Sequence, residues 1–498
     1  MTFSLLDAII VFTYLGGIAL FGVLIGGKQR SARDYFISER TIPWWAICLA
    51  IVATETSALT FLSLPGLAYA GSMVFLQIAF GYILGRIAVA VFLFPRYFDG
   101  EISTAYTVLE KKFSPSIRRS ASAVFMLTRL FADGVRLYTT AIPLALLIEG
   151  FGLFPQANPT VIYIVSMAAL TLLTLVYVFY GGIRAVIWTD VVQWVIYIFG
   201  AVISLVILFR LLPGTPIETL TALVENGKLQ IIQFQPVGGW SAIFREPYTL
   251  FAGVIGGMVL SMASHGTDQL IVQRVLAAGA PSPARKAMVM SGVVVLFQFA
   301  AFLLVGALLS LYFEGTTYSP NEVFSAFILH DLPTGFTGLI VAGIFAAAMS
   351  TLSSSISALS SATMLDLIIP LRKTPLDDEQ ALKLSRRVSL FWAAVLLGAA
   401  SLFIQTPSTV VELALSIASY TYGGLLGLFI LSLLPWRLRT TVVAAGFFGG
   451  IIGNAAIILL TPLAWTWYTL TGAMLTVGIA AILRIILPET STHEGDTT

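Results

Sequence analysis

The sequence predicts an all-α membrane protein that crosses the bilayer many times. Of its 498 residues, 58% are hydrophobic and only 10% are charged, whereas about 25% are charged in an average soluble domain. The mean hydropathy is +0.93, and apolar windows long enough to cross a bilayer core recur along the chain. This composition excludes a soluble enzyme, a disordered chain and a nucleic-acid-binding protein.

The apolar windows predict about thirteen membrane-spanning helices. Each window holds roughly 20 mostly apolar residues, the length that an α-helix needs to cross a bilayer. The span 333–369 is too long for one straight crossing, so we expect it to extend beyond the bilayer. In chain order the predicted spans are 4–26, 43–70, 72–97, 118–149, 159–180, 183–211, 246–276, 286–313, 333–369, 381–404, 408–434, 437–461 and 464–487.

The basic residues predict the orientation of these spans. With the amino terminus outside, all but six of the 27 Lys and Arg residues fall in cytoplasmic connections or at the cytoplasmic ends of spans. Lys and Arg concentrate on the cytoplasmic side of membrane proteins. The amino terminus is therefore predicted outside and the carboxyl terminus inside. The six exceptions are Arg210, Lys228 and Arg245 on one outer connection, and Arg86, Arg129 and Arg136 within spans.

The spans group into two blocks of five. A leading transmembrane helix in 1–30 precedes the blocks 43–211 and 246–434, two additional helices follow in 437–487, and 488–498 is a polar cytoplasmic tail. Because five is odd, the second block begins on the opposite side of the membrane, which permits inverted repeats. The leading segment has no basic residue before its apolar stretch, so we expect a retained helix rather than a signal peptide.

The sequence lacks the motifs for ATP binding, disulfide bonds, metal clusters and enzymatic catalysis. No Gly-x-x-x-x-Gly-Lys-Ser/Thr loop for ATP occurs, so any transport would be passive or driven by an ion gradient. The single Cys48 and three widely spaced histidines offer neither a disulfide framework nor a metal cluster. No nucleophile–base pair stands out, so we do not expect an enzyme.

Two spans carry polar interruptions near their middle, at 53–58 and at 261–269. An unwound backbone inside a membrane is tolerated where it lines a cavity, and its carbonyls can then bind a cation. The alternative is a polar patch that only kinks a packed helix. Glu55, which is costly in mid-membrane without a partner, favours a functional break in the first of these spans.

A hydroxyl stripe and a buried acid point to a cation site. Ser350, Ser353, Ser354 and Ser357 lie on one helical face, and their oxygens could replace the hydration shell of Na⁺. The alternative is that small residues pack helices closely and bond to their own backbone. Asp190 has no same-face basic neighbour, so we expect a cation near this stripe as its partner.

The motifs together resemble the sodium:solute symporter family, whose bacterial members include proline, galactose and sialic acid transporters. The resemblance implies a LeuT-type 5+5 inverted-repeat fold with about thirteen helices in the plasma (bacterial inner) membrane. It implies a small-molecule solute, sodium ions and the lipid bilayer as partners. Its strongest pieces are Pro43-Trp44-Trp45, the stretch 180–190, the stretch 273–278 and the serine stripe.

The resemblance also implies one or two coupling Na⁺ ions and no organic cofactor. The shared site would use backbone carbonyls of a broken helix and of the stripe helix, with two hydroxyls. Its residues here are Ala53, Thr56, Ala347, Ser350 and Thr351. The residues matching a possible second site are Asp190, Ser350, Ser353 and Ser354.

The resemblance places the solute among the broken helices and their neighbours. Arg129 and Arg136 flank Asp133 at helical spacing, and one carboxylate cannot neutralise two guanidiniums. An excess positive charge would suit a carboxylate solute; a closed structural salt bridge is the alternative. The candidate solute-binding residues are Glu55, Ser57, Thr60, Gln77, Arg136, Ser261, Ser264, His265 and Ser419.

We therefore predict a Na⁺-coupled secondary active symporter that imports a small organic solute by alternating access. The solute would be a carboxylate-bearing anion or zwitterion, such as an amino acid, a sialic acid or a monocarboxylate. The alternatives are a sodium symporter for a neutral, sugar-like solute, and a non-transporting channel or sensor. Glu55 could bind a solute ammonium, assist sodium or pair with Arg136.

Overall fold

The structure, a computed structural model of the chain, describes residues 4–38, 42–150, 158–316, 318–320, 322–404 and 410–487. Every regular element in these residues is a helix. The predicted cytoplasmic tail 488–498 lies outside the described residues.

The described residues form twenty α-helices, numbered here in chain order. They are α1 Leu5–Gly26, α2 Ala32–Ile37, α3 Trp44–Glu55, α4 Ala58–Ala70, α5 Leu76–Ala88, α6 Phe94–Tyr97, α7 Thr107–Lys112, α8 Pro115–Gly150, α9 Pro159–Leu211, α10 Pro216–Glu225, α11 Gly257–Gly266, α12 Gln269–Leu276, α13 Pro281–Tyr312, α14 Val323–His330, α15 Phe336–Ala362, α16 Ile369–Leu371, α17 Asp378–Ser401, α18 Val410–Leu433, α19 Thr440–Leu460 and α20 Tyr468–Ile486.

Fewer helices than expected are apolar enough to span a membrane by length and composition alone. Among the described residues seven pass, or eight if α3 and α4 form one bent span. One reason is that α9 covers two predicted spans, 159–180 and 183–211, within a single element. Another is that α8 carries charged residues such as Arg129 and Asp133 in its middle, and that breaks divide other spans into short pieces.

A sharp kink at Gly182 separates the two halves of α9. The backbone there has a φ of 56°, and a Cβ at this position would lie 2.6 Å from the carbonyl oxygen of Tyr35. Glycine is required because it alone adopts this conformation and permits this approach. The Tyr35 hydroxyl donates to the Val178 carbonyl at 3.0 Å, which holds α2 against the kink. The second half of α9 then carries Asp190 into the core.

The central helix is α15, in which almost every side chain is buried. It packs against α1, α3, α8, α9 and α17. Asp7 of α1 accepts hydrogen bonds from the backbone N–H groups of Gly335 and Gly338, at 2.8 and 2.7 Å. The N–H groups at a helix start attract negative charge, so this buried acid attaches the leading helix to the start of α15. The serine stripe is thereby placed in the middle of the bundle.

Candidate functional site

Both predicted interruptions are breaks between helices. The first break separates α3 from α4, whose axes differ by 65°. At its centre, Thr56 and Ser57 have extended backbone conformations. The second break separates α11 from α12, and Asp268 at its centre is also extended. The backbone groups freed at these two places lie inside the bundle, because Thr56 and Asp268 are fully buried.

The residues predicted for the shared sodium site are all buried, on α15 and at the first break. Thr54 and Ser354 share a hydrogen bond of 3.1 Å between their hydroxyl oxygens, which ties the end of α3 to α15. The Thr351 hydroxyl donates to the Ala347 carbonyl at 3.1 Å. The Thr56 hydroxyl accepts from the Gln298 amide at 2.5 Å. The structure therefore brings the two predicted stretches of backbone into contact.

Asp190 has a basic partner, Arg274, that the sequence analysis did not identify; the expected cation near the stripe stays a prediction. Arg274 Nη2 donates to Asp190 Oδ2 at 2.8 Å, and both side chains are fully buried. Asp190 Oδ1 accepts from Ser350 Oγ at 2.7 Å, and Arg274 also donates to Ser354. The second break sends α12 back through the core, and Arg274 reaches Asp190 across 84 residues of sequence.

The serine stripe makes bonds within α15 as well as across it. Ser353 and Ser354 donate to the Ser350 carbonyl at 3.0 and 2.6 Å, as hydroxyls in membrane helices often do. Ser357 accepts from the Gln273 amide at 3.1 Å. A hydroxyl that donates to a carbonyl keeps lone pairs for a cation, so the packing interpretation and the ion-site interpretation of the stripe are compatible. At Ser354 the hydroxyl oxygen also accepts from Arg274 and contacts the Thr54 hydroxyl.

A pocket lies between α8, the first break and α15. It brings two predicted solute-binding residues, Ser57 and Arg136, together with Thr351, a predicted sodium ligand. Arg136 is partly open to it, with 20% of its side chain exposed. The lining residues are Ser57, Asp133, Arg136, Leu137, Thr140, Ala348, Thr351 and Leu352.

The predicted excess of positive charge on α8 is absent from the described residues. Arg129 Nε donates to Asp268 Oδ2 at 3.0 Å, and the Tyr422 hydroxyl donates to the same oxygen at 2.9 Å. Arg136 Nη1 donates to Asp133 Oδ1 at 3.2 Å. Two carboxylates therefore face two guanidiniums. Asp268 was overlooked because it lies at the second break, 139 residues from Arg129.

Glu55 pairs with Arg86 of α5, and not with Arg136 as one alternative proposed. Arg86 is fully buried and also donates to Ser291 Oγ at 2.6 Å. His265 Nε2 lies 3.6 Å from the Glu55 carboxylate, and the other ring nitrogen of His265 lies 2.8 Å from Ser264 Oγ. Glu55 therefore connects the first break to α5 and α11.

Of the remaining candidate solute-binding residues, one lies beside the pocket and three lie elsewhere in the bundle. Thr60 lies beside the pocket, with its hydroxyl 3.3 Å from that of Ser57. Gln77 instead accepts from the Gln233 backbone N–H at 3.2 Å, on the connection after α10. Ser261 donates to the Tyr82 carbonyl at 3.2 Å. The Ser419 carbonyl accepts from Asn454 at 3.2 Å.

The partners that sequence reasoning missed share one signal. Each is a charged residue inside an apolar span, and such residues are costly in a membrane unless they are paired. The signal indicates that a partner exists but does not identify it, because every pair joins distant helices. These overlooked residues are Arg86, Asp268 and Arg274.

Comparison with known proteins places this arrangement in context. The model of the sodium:solute symporter family matches residues 35–453. The sodium/sialic acid symporter SiaT of Proteus mirabilis is 27% identical over 482 residues, which covers 95% of this chain and 93% of that protein. The sodium/sialic acid symporter NanT of Aliivibrio fischeri is also 27% identical, with 96% and 92% covered. The human sodium/iodide cotransporter is 27% identical, with 87% and 66% covered.

The fold is similar to that of a solved structure of a Na⁺-coupled sialic acid symporter in its substrate-bound, outward-open state. The TM-score is 0.85 at 26% sequence identity, and the match covers 97% of this chain and 98% of that one. The similarity of fold therefore extends over nearly the whole chain.

Proposed function

This chain belongs to the sodium:solute symporter family, and from this premise we propose that it couples Na⁺ entry to the import of a small carboxylate-bearing solute by alternating access. We propose that it does so in the plasma membrane through about thirteen spans in a LeuT-type inverted-repeat arrangement, with the amino terminus outside. The overlap with sodium-coupled relatives along almost the whole chain supports this proposal.

The shared sodium site would take its oxygens from Ala53, Thr56, Ala347, Ser350 and Thr351. Support comes from the contact between the end of α3 and α15 through Thr54 and Ser354. Support also comes from the first break, which frees backbone carbonyls inside the bundle. Neutral oxygens such as these can replace the hydration shell of a small cation.

A second sodium ion would bind at Asp190, Ser350, Ser353 and Ser354. The stripe supplies the oxygens, and Asp190 supplies negative charge, of which Arg274 already neutralises part. An ion here would lie close to the Arg274 guanidinium, so we expect weaker binding than at the shared site. Each net charge moved through 100 mV contributes about 2.3 kcal/mol. One Na⁺ with a monoanionic solute moves no net charge, so a second ion would add this electrical driving force.

The pocket supports the proposal that the solute bears a carboxylate. Arg136 opens into it, and its Nε has no hydrogen-bond partner among the described residues. A guanidinium holds a carboxylate through two parallel hydrogen bonds, and Arg136 has used only Nη1 on Asp133. Relatives named for sialic acid and for monocarboxylates fit this chemistry. Ser57 and Thr60 would bind polar groups at the other end of the solute.

Glu55 would serve the framework of the site rather than the solute. Arg86 already neutralises its carboxylate inside the membrane, so no ammonium group is needed for charge balance. We place Ser264 and His265 in the same role, because they contact each other beside Glu55. Gln77 and Ser261 would border the solute at most, since their side chains bond to protein backbone. Ser419 stays a candidate solute contact.

Uptake into proteoliposomes tests the proposal. N-acetylneuraminate, propionate and proline would each be presented with an inward sodium gradient, and again with potassium in place of sodium. We expect one of the carboxylates to accumulate only with sodium, and its uptake to be strongly reduced in Arg136→Gln. Equal uptake in the two salts would contradict sodium coupling. Unchanged uptake by the Arg136→Gln variant would contradict the assigned carboxylate site.

A further inference from the structure

Asp133 is a buried carboxylate whose two oxygens bond to different parts of the molecule. Oδ1 accepts from Arg136 Nη1 at 3.2 Å, on the side of the pocket. Oδ2 accepts from Ser355 Oγ of α15 at 2.5 Å. Asp133 therefore connects the guanidinium assigned to the solute with the helix assigned to sodium.

Asp133 is not required to neutralise Arg129, which lies four residues before it on α8. Arg129 bonds to Asp268 through two of its nitrogens. Its distance to Asp133 is 3.5 Å, which is at the limit of a hydrogen bond. The orientation of the Asp133 carboxylate is accordingly set by Arg136 and Ser355.

The hydrogen bonds continue from Asp133 to the proposed sodium site. Ser355 Oγ lies 2.9 Å from the Thr351 carbonyl, and the Thr351 hydroxyl donates to the Ala347 carbonyl at 3.1 Å. These steps of four residues follow one face of α15. The connected residues, in order, are Ala347, Thr351, Ser355, Asp133 and Arg136.

Sodium binding at the shared site would disturb this series at its first step. The Ala347 carbonyl and the Thr351 hydroxyl oxygen would both face the cation, so the hydroxyl hydrogen could no longer lie between them. That change occurs one helical turn from Ser355, whose hydroxyl contacts both the Thr351 carbonyl and Asp133. Ser355 has one hydroxyl hydrogen for these two acceptors, so an ion that shifts Thr351 and its carbonyl would change how Ser355 bonds to Asp133, and through Asp133 the orientation of Arg136.

We propose that Asp133 is a positioning residue that makes affinity for the carboxylate solute depend on bound Na⁺. The inference rests on the proposed function, because it takes Arg136 as a solute ligand and Thr351 as a sodium ligand. Without the contact between Asp133 and Ser355, the Arg136 guanidinium stays in the pocket. Its orientation then no longer depends on whether Na⁺ is bound beside α15. Thermodynamic reciprocity requires that the solute then also loses its effect on sodium affinity.

Direct attraction between the bound ion and the bound carboxylate is the competing explanation. Thr351 lines the same pocket as Arg136, so the two ligands would be close enough to attract each other. The two explanations differ in one respect. Direct attraction survives removal of the Ser355 hydroxyl, whereas coupling through Asp133 does not.

The test measures the dissociation constants of N-acetylneuraminate and propionate for the full-length purified protein, in NaCl and in equimolar KCl. In the parent protein we expect sodium to tighten binding of one carboxylate by about fivefold or more, within the usual range of coupling between sites. In Ser355→Ala and in Asp133→Asn the tightening should fall below about twofold. Sodium-induced thermal stabilisation without solute should persist in Ser355→Ala, since Ser355 is not an assigned ligand.

Ser360→Ala is the matched control, because Ser360 is also buried on α15 and its hydroxyl has no partner among the described residues. It should keep the tightening seen in the parent. If Ser355→Ala keeps that tightening too, the role of Asp133 is overturned while sodium symport stands. If the parent binds neither carboxylate in a sodium-dependent way, the proposed solute class is overturned, and this inference with it.

Discussion

Two arginine–carboxylate pairs lie against different faces of α15, and they differ in their access to the pocket. Arg274 and Asp190 are completely buried and contact Ser350 and Ser354. In the other pair, Asp133 contacts the next residue, Ser355, and Arg136 opens into the pocket. A pair of opposite charges inside this membrane protein can therefore have one of two roles. A closed pair holds helices together, whereas an open pair has hydrogen-bond donors left for a ligand.

The closed pair should show the largest effect on stability. Arg274→Gln leaves Asp190 charged and buried without its partner, and such a change costs about 3–5 kcal/mol. We expect a strongly lowered unfolding temperature in detergent, partly restored by the double variant Asp190→Asn/Arg274→Gln. Arg33→Gln is the control, because the Arg33–Glu101 pair is exposed. Unfolding of Arg274→Gln at the parent temperature would contradict the structural role of the closed pair.

The open pair should show the next largest effect, on transport. Arg136→Gln removes charge-assisted hydrogen bonds to the solute, which contribute about 1.5–3 kcal/mol. The ratio kcat/KM for carboxylate uptake should therefore fall roughly 10- to 100-fold, with less loss of stability than in Arg274→Gln. Arg136→Lys keeps the positive charge but loses the paired donors of the guanidinium, so its kcat/KM should lie between those of the parent and Arg136→Gln. Equal transport by parent and Arg136→Gln would remove the distinction between the two pairs.

A smaller effect is expected at the sodium site beside the closed pair. Ser353 bonds within α15, to the Ser350 carbonyl, so Ser353→Ala should fold normally. If the second ion binds there, the Hill coefficient for sodium should fall toward one in uptake assays. Ser360→Ala serves again as the control on the same helix. Sodium cooperativity that Ser353→Ala leaves unchanged would argue for a single coupling ion.

The smallest effect on transport is expected at Gln77. Its amide bonds to the Val74 and Tyr248 carbonyls and to the Gln233 N–H, so Gln77→Ala should lower stability by about 1 kcal/mol. The KM for the solute should stay within about twofold of the parent value. Selective loss of carboxylate binding in this variant would instead indicate that Gln77 binds the solute.

Sequence reasoning predicted the local features of this molecule well. The two breaks and the buried hydroxyl stripe each depend on a short stretch of sequence, so periodicity and polarity reveal them. The count of about thirteen spans stays a prediction, since seven or eight helices among the described residues qualify by length and composition. The side chains of Ser57, Arg136 and Thr351 were also identified as candidates, and the structure brings them to one pocket.

The pairing of charges could not be predicted in the same way. Asp190 was assigned a metal cation because its nearest basic residue in sequence, Arg184, lies on another face of the helix. Its actual partner, Arg274, reaches it only because the second break turns α12 back into the core. The same break delivers Asp268 to Arg129, which removes the excess charge expected on α8. Pairs between distant helices depend on tertiary packing, which a single sequence does not display.

The most direct test of the central claim is the sodium dependence of carboxylate binding in Arg136→Gln and in the parent, by equilibrium binding to purified protein. We predict that the parent binds N-acetylneuraminate or propionate more tightly in sodium than in potassium, and that Arg136→Gln binds the same carboxylate roughly 10- to 100-fold more weakly in sodium. Sodium-dependent binding of equal affinity in the two proteins would contradict the claim that the open pair receives the solute.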